Sequence, residues 1–121
     1  MRKKMTLPAL MVVLLATPAA AEHMYVDIDL LYGWCKPYEV GDIGPGPLCA
    51  GYIYAVADII ASGESIHQRQ ACVPHDVSLD DLRNLVVGEI DKRPKASPVS
   101  AHAWVAEVLA DAYPCVPANR Q

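Results

Sequence analysis

The chain lacks any run of about 20 apolar residues, the length a spanning helix needs. Its longest apolar stretch, Leu7 to Leu15, falls well short of that. It also lacks a cysteine after the small-residue run Ala19-Ala20-Ala21, which excludes a lipoprotein anchor there. Positive charge is scarce, with ten Lys and Arg against fourteen Asp and Glu, and three of the ten are Arg2, Lys3 and Lys4. Nucleic acid and anionic membranes are therefore poor partners. Gly-x-Ser-x-Gly, His-Glu-x-x-His and the phosphate-binding Gly-x-x-x-x-Gly-Lys are all missing, and with them the common hydrolase and nucleotide sites. Internal repeats and low-complexity tracts are missing too.

What is present begins with an export signal. Arg2 to Lys4 supply the charged start, Leu7 to Leu15 the apolar centre and Ala19-Ala20-Ala21 an Ala-x-Ala cleavage site. Residues 1–21 are thus expected to be a signal peptide, and 22–121 a single exported domain, periplasmic and free of the membrane after cleavage near Ala21. Without the signal, seven basic residues face fourteen acidic ones, a formal charge of −7. Solubility is the plainest service of such a surface, and it also suits a basic protein partner.

A domain of this size buries a modest core, so additional stabilisation is useful. Cys35, Cys49, Cys72 and Cys115 offer it, since an oxidising compartment favours disulfides over free thiols. Four cysteines permit three pairings, and the layout of the chain selects among them.

Four segments carry helical spacing. Asp27 caps the first, with Ile28, Leu31, Tyr32 and Cys35 on one side, and Gly33 keeps it short. Residues 36–47, rich in Gly and Pro, form a loop. The second helix has Cys49, Tyr52, Ile53, Val56, Ile59 and Ile60 on its inner face and ends near Ser62-Gly63. A polar loop then leads to Ser78, which caps a third helix with Asp81 three residues on. Its inner residues are Leu79, Leu82, Leu85, Val86 and Ile90, and Lys92, Arg93 and Pro94 close it. Ser97-Pro98 opens the fourth helix, with Ala101, Trp104, Val105, Val108, Leu109 and Ala112 inward, and Pro114-Cys115 ends it. The expected fold class is all-α, a small domain of four, or four to five, helices. Short connections make consecutive helices antiparallel, which brings Cys35 to Cys49 and Cys72 to Cys115.

Candidate reactive groups resolve into structural roles. Cys72-x-x-His75 with His67 upstream has zinc-like spacing, but an oxidised cysteine does not ligate, so no metal and no cofactor is expected. Asp80 and Asp81 point about 100° apart on a helix and serve its dipole rather than a shared substrate. His102 neighbours Trp104, and Trp34, Trp104, Tyr52 and Tyr113 are core or core-edge aromatics.

The motifs Cys49-Ala50-Gly51-Tyr52-Ile53, Cys72-Val73-Pro74, Val77-Ser78, Val86-Val87 and Ala112-Tyr113-Pro114-Cys115 occur in a telling order. In them the chain, from about Tyr25 to Cys115, resembles the Tai/Rap-type immunity family associated with type VI secretion amidase effectors. The resemblance implies a periplasmic, all-helical protein, frequently a homodimer, that performs no chemistry. Such a protein binds a secreted peptidoglycan amidase, blocks its active-site groove and protects the producing bacterium and its kin. The inhibitory surface is expected in the loop from Gly63 to Ala71, where Glu64, His67, Gln68 and Arg69 have no packing role evident from sequence. Two other classes remain open at this level: an HdeA-like acid-stress chaperone, and a small exported enzyme using His67 or His75.

Overall fold

The computed structural model describes residues 24–36, 46–93 and 99–116. The first helix, α1, covers Ile28–Cys35 and starts where Asp27, in extended conformation, accepts the Leu30 amide at 2.8 Å. Helix α2, Pro47–Ala61, opens on a proline whose ring presets the helical φ and whose missing N–H is no loss in the first turn. It ends at Ser62, and Gly63 takes the left-handed turn at φ +97° that favours glycine. Helix α3, Leu79–Glu89, is started by a complete capping box between Ser78 and Asp81. The Ser78 hydroxyl and amide hold the Asp81 carboxyl below its usual range. A single 3-10 turn, Ile90–Lys92, follows, and the last helix, α4, covers Ala101–Ala112.

Helix α2 is the centre of the assembly and packs on the other three. Ile53, Val56, Ala57 and Ile60 meet Ile28 and Leu31 of α1, Leu82 and Val86 of α3, and Val105, Ala106 and Leu109 of α4 in one buried cluster. Fully burying each of the larger aliphatic side chains contributes about 1.5–3 kcal/mol, which is where the fold draws its stability. Among the described residues there is no β-strand beyond two isolated bridges, and no helix is long and apolar enough to cross a membrane.

Both expected disulfides are formed, Cys35 with Cys49 and Cys72 with Cys115. The loop-closure argument assigns them about 3 and 4 kcal/mol respectively. Trp104 is buried, and Trp34, Tyr52 and Tyr113 are partly buried against the core, with Trp34 and Tyr52 edge to face at 6.1 Å.

Four expectations need correction. Ile59 and Leu79 are half exposed, at 47% and 51%, because the apolar stripes of α2 and α3 are wider than the faces their neighbours cover. Ala112 is exposed as well, on the last turn of α4, while Ala57 and Ala106 are buried instead. Helix α3 gives way to the 3-10 turn at Ile90, and Pro94 lies outside the described residues. The fourth helix starts at Ala101, with Ser100 as its cap and no side-chain capping bond. The cause is a bridge between Asp27 and Ser100. Ile28 N–H donates to Val99 at 3.1 Å and Ala101 N–H to Val26 at 3.1 Å, so the chain is held extended up to Ser100. Ser97-Pro98 itself lies outside the described residues, as do residues 37–45 of the first loop.

Candidate partner-binding surface

The connection between α2 and α3 contains a tight two-residue turn. Ile66 and Arg69 exchange both backbone hydrogen bonds, at 3.0 and 2.9 Å, which closes the turn around His67 and Gln68. Such turns require positive φ at both central positions and usually contain Asn and Gly. Here His67 has φ +48° and Gln68 φ +63°, neither of them glycine. Left-handed backbone at a non-glycine residue costs on the order of 1 kcal/mol or more and persists only where its surroundings hold it.

Several features do the holding. Ile66 is half buried against the core, and Ala71 belongs to it. The Cys72 amide donates to the Tyr113 carbonyl at 2.8 Å, beside the Cys72–Cys115 bond. Two side-chain contacts reach α4. His67 Nε2 lies 3.1 Å from His102 Nε2, and the Arg69 guanidinium lies 3.5 Å from a Glu107 carboxylate oxygen. The Arg69–Glu107 pair is half exposed and contributes little by itself.

The expected partner-contacting residues are therefore sorted into two kinds. Glu64, His67, Gln68 and Arg69 are all exposed. His67 and Arg69, however, also brace the turn against α4, a packing role that sequence reasoning missed together with the residues that receive them, His102 and Glu107. Those partners are 35 and 38 positions away in the chain, and nothing in the local pattern signals either contact.

The two imidazoles sit with ring centres 5.1 Å apart and planes 33° from parallel. A hydrogen bond between two Nε2 atoms needs one to carry the proton and the other to accept it. Partial burial, and then the proximity of His67, lower the His102 pKa and favour its neutral form. Ser100 Oγ approaches the same His102 nitrogen at 3.4 Å. A serine and a second histidine thus converge on one ring nitrogen, whereas a hydrolytic triad places nucleophile and orienting acid on opposite nitrogens. Cys72 is bonded to Cys115, so its sulfur is not a thiolate ligand for His75. His75 instead lines a shallow depression of about 210 Å³ with Asp58, Val73, Pro74 and Leu79. Asp80, at the start of α3, accepts from Tyr54 at 2.9 Å and pairs with Arg83 at 3.0 Å, so it works within the scaffold.

The described residues thus form a four-helix scaffold stapled by two disulfides and carrying a tight turn braced against α4. The chain belongs to the family of Rap1a immunity proteins, whose model matches residues 27–115, from the cap of α1 to the final cysteine. Membership makes it an immunity protein, and the partner it implies is a toxin protein. No curated protein and no solved structure matches the chain.

Proposed function

We propose that this immunity protein acts in the periplasm, where it neutralises a peptidoglycan amidase delivered by type VI secretion and so protects the producer and its kin. The turn at residues 66–69 enters the amidase groove, with Gln68 at its tip and Glu64, His67 and Arg69 around it. The observation that carries this reading is the pair of left-handed, non-glycine residues at His67 and Gln68. Strain held in place by a disulfide, a half-buried isoleucine and two contacts to α4 serves presentation, because glycine at either position would relieve it for the fold alone. A preorganised turn also avoids the ordering cost that a slack loop meets on binding. The signal-like segment Met1 to Ala21 supports export, and an oxidising periplasm supports both disulfides. A second copy of the chain is proposed as partner in a homodimer, to be checked by light scattering on the purified protein.

The test is coexpression of the full sequence with a secreted amidase encoded beside it, the amidase being directed to the periplasm. Rescue of growth together with a complex on size exclusion is the expected result. Continued lysis with both proteins present and folded would sink the amidase reading. Capture of client proteins only in acid, with exposure of apolar surface to a dye, would move the protein to the chaperone class.

A further inference from the structure

We propose that His67 and His102 form a two-histidine site for a divalent transition-metal ion of the zinc class, joining the 66–69 turn to α4. Zinc–nitrogen bonds of about 2.0–2.1 Å place two ligands of one ion about 2.9 Å apart at a right angle and about 3.4 Å apart at the tetrahedral angle. The two Nε2 atoms are 3.1 Å apart, inside that interval without movement of either backbone. Both are the far nitrogens of their rings, brought together from two elements 35 residues apart in sequence.

The protein has already arranged the ligands. His67 is fixed by a turn whose two backbone bonds and left-handed φ leave its Cα little freedom. His102 is in the first turn of α4, next to the Asp27–Ser100 bridge. The Cys72–Cys115 bond closes the same corner. An ion binding here does not have to order the loop, so that part of the cost of binding is already met by the fold.

The protonation state is also suitable. Metal binding requires a lone pair on each Nε2, so the ring that donates in the hydrogen bond must carry its proton on Nδ1 instead. Two neutral imidazoles achieve this by tautomer exchange, with no net release of a proton. Arg69, two residues from His67 in the same turn, has its charge offset by Glu107. Imidazole ligands select zinc, copper and nickel over magnesium and calcium. Among the described residues no group of three or more His, Cys, Asp and Glu converges here, so water completes the coordination, with Ser100 Oγ near enough to His102 to hydrogen-bond such a water.

The proposal does not rest on the amidase reading. It is tested by isothermal titration of zinc chloride into protein purified from the full sequence without a histidine tag. One equivalent should bind to the unaltered chain. His67→Ala and His102→Gln should each weaken binding at least tenfold, whereas His75→Ala should bind as the unaltered chain does. Thermal melting in the same zinc series should show stabilisation that both site variants lose, and circular dichroism verifies that they fold. Binding that survives His67→Ala undiminished, that disappears with His75→Ala, or that needs millimolar zinc would overturn the assignment.

Discussion

The two disulfides make the most instructive contrast in this molecule. Cys35–Cys49 is buried, with its residues 1% and 0% exposed, and joins the end of α1 to the first turn of α2 inside the hydrophobic cluster. Cys72–Cys115 is at the surface and ties the exit of the 66–69 turn to the end of α4. The inner bond adds sulfur volume to the core as well as closing a loop. The outer bond encloses a longer segment, of 43 residues, and its local consequence is a fixed surface turn. One therefore serves the scaffold, and the other serves both the scaffold and what the scaffold presents.

That contrast is broken most forcefully at the inner bond. Replacing Cys35 and Cys49 together by alanine removes about 3 kcal/mol of loop-closure stabilisation and leaves a small cavity, for a combined loss of about 5 kcal/mol in urea unfolding. A domain of ordinary stability then stands close to unfolding. Replacing Cys72 and Cys115 by alanine should cost up to about 4 kcal/mol by the same argument. Below the new melting temperature this variant should also bind the toxin at least tenfold more weakly. Unchanged toxin affinity in a folded Cys72→Ala, Cys115→Ala variant would erase the distinction between the two bonds.

A finer test separates strain from stability. Gln68→Gly should stabilise the fold by roughly 0.5–1 kcal/mol, because glycine adopts φ +63° without penalty, while toxin affinity falls with the lost side chain. Equal affinity with raised stability would mean that Gln68 is not a contact. The smallest effect concerns pH. The folded state depresses the His102 pKa, so as pH falls through about 6.5 the unfolded chain gains a proton that the folded chain resists. Stability should therefore be lost on acidification, beginning near the unfolded value and continuing down to the folded one. Denaturant midpoints measured across this window should decline in the natural chain and decline less steeply in His102→Gln. The neighbours His67, Ser100 and Tyr52 stay in place in that comparison.

Much of the scaffold was legible because its determinants are local. Asp27, the Ser78–Asp81 box and Gly63 mark helix ends by their own backbone chemistry, and each acts where it was expected to, whereas Pro47, expected as the last residue of the first loop, is instead the first residue of α2. The disulfide pairing followed from antiparallel succession, a rule of connection length rather than of side chains. Non-local effects were hidden. The start of α4 is set by a bridge to Asp27 at the other end of the chain, and the exposure of Ile59 and Leu79 depends on which neighbours fall short of them. In the candidate surface, the loop was identifiable by exclusion, since Glu64, His67, Gln68 and Arg69 belong to no apolar stripe. Its construction was not, because His-Gln carries no turn signal of the Asn-Gly kind and the contacts to His102 and Glu107 exist only in the folded chain.

The most direct test of the central claim is the hydrogen-exchange footprint of this immunity protein in complex with the toxin it neutralises, proposed above to be an amidase. Protection gained at residues 63–71 and at the start of α4, with the rest of the surface unchanged, is the predicted result. Protection confined to the α2–α3 face around Leu79 and the His75 depression, with the turn exchanging as in the free protein, would contradict it.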